Sequence, residues 1–342
     1  MPILNKNNNV EVENYKNFLS NNNACAMQDI MWSKVKPLWK SEVVYIEDNN
    51  EIIAACHILF EKVPLFNSHL MYISKGPVCD MYNIDLVNKL LLECDELIKK
   101  YKVFLCILDP EVKYDSKLFK LYTDNGYIVS DTKGNIQPIN NMVLNIKDKS
   151  IDELFKSFSE KTRYNIRLAT KKNVKVRYSN NEEDLKIFYE LYKTTTIRDK
   201  IGCRPYNYFL NMLNAFKNNI RIYISSHDDD NLSAAIALKY TNKLFYIYGA
   251  SSNEKRNLMP NYLMQFEMIK WAKECNLDLY DFGGVKVLSN DNGLYKFKIG
   301  FCKVDGVTSY IGEIHKVYNK SIYFIYIYIL PVITKLKKLF RK

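Results

Sequence analysis

Several groups of side chains in this sequence combine reactive or charged types with telling spacing. Lys296 and Lys298 lie in an aromatic run, 294–301, beyond Gly283-Gly284 and the polar loop 289–293. Two adjacent glycines free the backbone and let a ligand or another chain segment approach closely. A lysine among aromatic residues beside such a bend is poorly placed for simple solubility; the alternative is a strand edge carrying two solvated lysines. Arg163, Arg167 and Lys171 recur one helical turn apart in SEKTRYNIRLATKK. Such a stripe suits RNA or phosphate, through point charges and bidentate guanidinium contacts, and equally a solvated helix face. Between 156 and 177, eight Lys/Arg stand against one acid, Glu160, which favours the functional reading. Arg198 and Arg204 flank Gly202, and Tyr208 follows Arg204 by four residues, putting a guanidinium and a phenol within reach of one phosphate.

Other chemistries lack their residues. Asp281-Phe282-Gly283 matches the kinase metal-binding triplet, but the chain has neither a glycine-rich phosphate loop nor an HRD loop. GxSxG, Walker and dinucleotide motifs are missing. Eight cysteines show no CxxC spacing and four histidines are dispersed, so neither a disulfide framework nor a metal site is expected. The formal charge of +11 calls for an anionic partner without choosing among phosphate, nucleic acid and membrane.

The elements that must position these groups read as a globular α/β chain long enough for two domains. Strands are expected at 43–46 and 52–60, with a hairpin turn at 47–50, and then at 71–78, 103–108 and 139–146. Helices are expected at 86–101 and 116–125. Ser150 and Glu153 form a capping box that should open one helix over 151–172. Helices at 182–198, 206–218 and 261–275 and strands at 174–178, 220–225, 233–240, 243–250 and 277–282 follow, with a further aromatic strand around Lys296 and Lys298. The second half repeats the element order of the first. The stretch 2–23 is polar and is not a signal peptide. The tail 321–334 is apolar, too short to span a bilayer and interrupted by Pro331; 335–342 adds five Lys/Arg and no acid. It should pack on the first domain or lie as an interfacial foot on anionic lipid.

Taken in order, Gln28, Trp32 and Lys36, Leu108-Asp109-Pro110, SEKTRYNIRLATKK, Arg198, Arg204 and Tyr208, WAKE followed by LYDFGGV, and LYKFKIGF resemble the Fem family of non-ribosomal aminoacyltransferases. The likeness runs from residue 27 to about 323. It implies tandem GNAT-like domains, α/β (α+β), with domain 1 at 1–148 completed by about 313–342 and domain 2 at 149–312. No stretch has room for the coiled-coil arm of longer members. It also implies aminoacyl-tRNA as donor and a peptidoglycan precursor, UDP-MurNAc-pentapeptide or lipid II, as acceptor. Lys36 and Arg204 would hold the acceptor's phosphates with Tyr208 and Tyr248 beside them. Asp109 would sit by the acceptor amine, Lys298 at the transfer site, and Arg163, Arg167 and Lys171 against tRNA. No cofactor or metal is needed. The protein should be a cytoplasmic monomer, with possible membrane contact through 321–342. The rival reading is a GNAT-type N-acyltransferase using acyl-CoA, against which the stretch 251–264 lacks the glycines of a pyrophosphate turn.

Overall fold

The computed structural model describes residues 3–130 and 135–333. The chain divides into two compact units, the first made of residues 1–33, 37–137 and 310–342, the second of 34–36 and 138–309.

The first unit opens with helix α1 (Asn9–Asn21), capped by the Asn8 side chain. The short helix α2 (Trp32–Val35) leads into Lys36. Strands β1 (Lys40–Asp48) and β2 (Glu51–Val63) form a hairpin whose two loop residues, Asn49 and Asn50, both have positive φ, 50° and 66°. A two-residue hairpin loop requires that geometry, and asparagine tolerates it. Then come β3 (Ser68–Ser74), α3 (Ile84–Leu92), α4 (Asp95–Lys100), β4 (Val103–Asp109), α5 (Ser116–Asp124) and β5 (Ile128–Ser130). The single helix expected over 86–101 is two, divided at Glu93-Cys94.

In the second unit β6 (Asn140–Asn145) precedes α6 (Ile151–Ser157), which carries the expected capping box. Phe158 then leaves helical geometry and Ser159 caps a new helix, α7 (Glu160–Lys171), so the helix expected over 151–172 is also two. The unit continues with β7 (Lys175–Ser179), α8 (Glu182–Asp199), α9 (Tyr206–Phe216), β8 (Ile220–His227), β9 (Asp230–Tyr240), β10 (Lys243–Ser251), α10 (Pro260–Glu274), β11 (Leu279–Val285), α11 (Gly293–Cys302) and β12 (Val307–Ser309). The chain returns to the first unit as β13 (Glu313–Val317) and α12 (Lys320–Phe324).

The first sheet has the order β1-β2-β3-β4-β13-β5, and among the described residues its parallel neighbours are β3 and β4. One face carries the apolar side chains of α3, α4 and α5, with Val87, Leu90, Leu97 and Leu118 buried. The other face, with Leu70, Tyr72 and Ile107, packs under Ile322, Tyr323 and Tyr326. The second sheet has the order β12-β6-β11-β10-β9-β8-β7. Strand β6 pairs with β11 and β12 there. The 139–146 strand therefore opens the second unit instead of closing the first, and the boundary falls at 137/138, not 148/149. Only the polypeptide 252–259 connects β10 to α10, so no coiled-coil arm is present.

The aromatic run holding Lys298 is helix α11, not a strand. Asn292 accepts from the N–H groups of Leu294 and Tyr295, and Leu294, Phe297, Lys298 and Phe301 recur at helical spacing.

Candidate active site

The second sheet has one parallel pair, β10 and β11, and it separates early. Register holds for Lys243–Leu279, Leu244–Tyr280 and Phe245–Asp281 and goes no further. Directly beyond, β10 shifts register against β9 between Tyr246 and Tyr248, and β11 shifts against β6 between Asp281 and Gly284. Bulges of this kind bend a strand and increase its twist. They spread apart strands that would otherwise continue to pair.

Beyond that point lies a cavity of about 500 Å³, lined among others by Arg198, Tyr246, Gly249, Arg256, Asn261 and Tyr262. Gly249 is required: a Cβ there would lie 1.7 Å from the Tyr246 hydroxyl. Gly293, Leu294 and Phe297 of α11 also form its wall.

Lys298, the next residue of α11, turns towards β11. Its Nζ donates to the carbonyls of Gly283 and Gly284 at 3.1 and 3.0 Å, and the residue is 4% exposed. Asp281 fixes the bend that offers those carbonyls. Its carboxylate accepts from Asn141 Nδ2 at 2.9 and 2.8 Å and from the Gly283 N–H at 2.7 Å. Gly283 has φ +74°, which favours glycine. Burial lowers the Lys298 pKa to about 8, while the Asp281 charge acts the other way. The result is a desolvated ammonium, anchored by backbone dipoles, on the helix that walls the cavity.

A second cluster gathers Arg204, Tyr208 and Tyr248. The Arg204 guanidinium lies 4.7 Å from the Tyr208 ring centroid, and the Tyr248 hydroxyl donates to that of Tyr208 at 3.2 Å. Burial pushes the Tyr208 pKa well above its ordinary value, so the phenol stays protonated. Arg198 does not join this cluster. Its Nη1 donates to the Ser251 carbonyl and hydroxyl and to Asn253, holding the end of α8 against β10.

The basic stripe is only partly outward-facing. Arg163 donates to the carbonyls of Lys156 and Phe158, closing the C-terminal end of α6. The Arg167 guanidinium lies 5.2 Å from the Phe155 ring centroid, and Lys171 is exposed. Lys36 is half-buried at the end of α2 and groups with the second unit.

Asp109 belongs to the first unit, at the end of β4, and is 5% exposed. The Tyr72 hydroxyl donates to Oδ2 at 2.7 Å, and Lys75 Nζ lies 3.7 Å from Oδ1. Burial raises its pKa to about 6 against the opposing influence of Lys75 and Tyr72. The structure thus brings together Arg204, Tyr208 and Tyr248 in one cluster and encloses Lys298 and Asp109 in separate polar surroundings. Sequence reasoning missed Tyr246 and the Asp281–Asn141 clamp. The one available signal was Gly249, whose need for close approach shows only once Tyr246 is placed.

The FemAB family model matches residues 10–125, 122–231 and 224–330. The chain belongs to the FemAB family. It is 35% identical over 336 residues to a UDP-N-acetylmuramoylpentapeptide-lysine N(6)-alanyltransferase of Weissella viridescens, covering 94% of this chain and 98% of that protein. It is 30% identical over 402 residues to a lipid II:glycine glycyltransferase of Staphylococcus epidermidis, covering 94% and 95%. Among solved structures the crystal structure of FemX superposes with a TM-score of 0.82 at 26% identity, covering 95% of this chain and 99% of that one. A tandem GNAT protein from the clavulanic acid pathway shares the fold, with a TM-score of 0.57 at 10% identity over 92% of this chain and 98% of that one.

Proposed function

We propose that this protein is a bridge-forming aminoacyltransferase that moves an amino acid from aminoacyl-tRNA to the stem-peptide side-chain amine of a peptidoglycan precursor, UDP-MurNAc-pentapeptide or lipid II. The observation that carries this reading is Lys298, a buried ammonium held by two carbonyls on the helix that walls the cavity, in a chain aligned nearly end to end with transferases of that class.

The chemistry asks for little beyond placement and charge. The acceptor amine attacks the ester carbonyl, the amide C–N bond forms, the C–O bond to the ribose breaks, and the ribose oxygen leaves as a hydroxyl. Asp109 orients the acceptor ammonium and takes one proton from it to give the neutral amine; the second proton, released as the amide forms, passes to the departing ribose oxygen. Lys298 supplies the cation for the developing oxyanion and for the tRNA end, and the cavity beside β10 takes the aminoacyl-adenosine. Lys36 and Arg204 hold the acceptor's phosphates, with Tyr208 and Tyr248 as hydroxyl partners. With Arg163 engaged on α6, Arg167 and Lys171 are the members of the stripe left to meet tRNA phosphates.

Radiolabelled amino-acid transfer from a charged tRNA pool, offered UDP-MurNAc-pentapeptide and lipid-linked precursor in parallel, tests the reading. Label on either acceptor supports it. Acetyl-CoA turnover on an amine, with no label on either precursor, overturns it in favour of acyl-CoA chemistry.

We also propose peripheral contact with the cytoplasmic face of an anionic membrane. Among the described residues no helix is long and apolar enough to cross a membrane. Beyond α12, π-helical turns over Ile325–Ile329 continue the C-terminal helix. One side of it, Tyr323 and Tyr326, packs on the first sheet, while Phe324, Tyr328, Ile329, Val332 and Ile333 are exposed. The basic residues 335–342 that follow in sequence lie outside the described residues. An apolar helical face next to a polybasic segment fits an interfacial site on anionic lipid. Co-sedimentation with phosphatidylglycerol vesicles, lost in Phe324→Ser/Tyr328→Ser and absent with phosphatidylcholine alone, is the expected result; equal binding by the double variant sinks the idea.

A further inference from the structure

The first sheet carries a second buried carboxylate that the transfer chemistry leaves unused. Strands β4 and β13 pair antiparallel through Ile314–Leu108 and His315–Ile107. One further step along that register brings Glu313 alongside Asp109 at the strand ends. Residues two apart on a strand share a face, so Asp109, Glu313 and His315 lie on the face that also holds Tyr72, beneath the C-terminal helix. Glu313 and His315 are each 4% exposed. Glu313 Oε2 lies 3.1 Å from His315 Nε2, and its Oε1 accepts from the Ile136 N–H. His315 Nδ1 faces the Tyr323 hydroxyl of α12 at 3.3 Å.

A carboxylate buried this completely is retained only when it is paired and hydrogen-bonded. Glu313 has both kinds of partner, and they are not those of Asp109. Around the two acids stand Tyr72 and Lys75 at the end of β3, Glu111 after β4, Tyr310 ahead of β13 with its ring 5.4 Å from Lys75 Nζ, His315, and Tyr323. Two carboxylates thus share one face with one lysine and one imidazole. Glu313 is also one of the groups that raise the proton affinity of Asp109.

We infer that Glu313 and His315 form a buried, hydrogen-bonded carboxylate–imidazole pair that sets, from the neighbouring strand, how readily Asp109 takes and gives up a proton. Both are positioning residues: neither meets the substrate, and each acts through Asp109. Glu313 opposes ionisation of Asp109, and the His315 contact with the Glu313 carboxylate offsets Glu313. As a catalytic inference it rests on the role given to Asp109 above, but its physical core does not, because the titration of Asp109 can be read without substrate.

The pair predicts shifts of opposite sign. In the full-length protein with 13C-labelled aspartate carboxyls, assigned with Asp109→Asn, the Asp109 midpoint should fall in Glu313→Gln and rise in His315→Gln, each by roughly half a unit to one unit. Glu313→Gln keeps an acceptor for the Ile136 N–H and the shape of the side chain, so folding is preserved. The acidic limb of transfer should move with the midpoint in each variant, with KM unchanged. A midpoint that stays put in either folded variant, or moves the same way in both, overturns the inference. Midpoints that move as stated in a protein with no transferase activity would uphold the pair and strike only the function proposed above.

Discussion

The two sheets follow one plan and diverge at their parallel pair. In the first unit β3 and β4 shift register once, between His69 and Leu70, then hold five consecutive pairs and end on Ser74–Asp109. In the second, β10 and β11 keep three pairs, end on Phe245–Asp281 and separate, with the cavity beyond. Each pair ends on a buried aspartate, put to different use. Asp109 faces side chains, Tyr72 and Lys75, and keeps a raised pKa. Asp281 is consumed by Asn141 and the Gly283 N–H and shapes backbone. A closed parallel pair presents a carboxylate; an opened one presents a cavity and two carbonyls that seat Lys298. Burial is the common agent. It raises the acid to about 6 and lowers the base to about 8, bringing both towards neutrality.

The largest expected effect comes from emptying the seat in the opened sheet. Lys298→Met should lower the transfer rate by about 10²–10³-fold, the usual cost of removing one preorganised oxyanion partner. Its thermal midpoint at pH 7 should hold or rise, because a lysine whose folded pKa lies below its unfolded value costs stability while protonated. The wild-type penalty fades as pH rises from about 8 towards 10.5. Melting curves at pH 7 and pH 10 beside initial rates check both halves. A variant with near wild-type rates would separate the cavity from the chemistry.

Next in size is the opening itself. Gly249→Val must displace the Tyr246 phenol, because even a Cβ would sit 1.7 Å from its hydroxyl. Loss of transfer by about tenfold or more is expected from a displacement of this scale, while the Asp109 titration, a property of the first unit, stays unchanged. Both sheets enter the pH profile of the wild type. Transfer should rise through an acidic limb near 6 as Asp109 ionises and fall through an alkaline limb near 8 as Lys298 loses its proton. Asp109→Asn should remove the acidic limb and leave the alkaline one. It should also stabilise the fold at pH 7 and not below pH 4. A carboxyl whose folded pKa is raised contributes its stability when protonated and loses it as pH climbs past about 6.

Much of this was legible in the sequence wherever the cause was local. The Ser150–Glu153 capping box is a short-range signal and stands where its residues put it; the hairpin turn expected at 47–50 narrows to Asn49-Asn50, and the strand expected at 277–282 is β11, which continues through Gly283-Gly284 to Val285. Lys298 was singled out on its surroundings alone. Its element reads as a strand and is a helix, because tyrosine, phenylalanine and two glycines argue for a strand while the Asn292 cap and the 294–297–298–301 spacing argue for a helix. The strand expected at 139–146 reads as part of the first domain because periodicity identifies a strand and not its partners. Glu313 and His315 were invisible for the same reason. Their meaning depends on Asp109 and Ile136, some two hundred residues away along the chain.

The smallest expected effects bear on the basic helix α7, where stripe residues alike in sequence have different work. Arg163 spends its donors on the carbonyls of Lys156 and Phe158, while Lys171 is exposed. Arg163→Ala should therefore cost about 1–2 kcal/mol of stability, the scale of lost charged hydrogen bonds at a helix end. Lys171→Ala should leave stability within about 0.5 kcal/mol and weaken tRNA binding only a few-fold, with a shallower salt dependence. Urea unfolding and filter binding at two salt concentrations separate them. If Arg163→Ala instead flattens the salt dependence while the fold keeps its stability, the guanidinium belongs to the tRNA surface, and α6 closes its C-terminal end without it.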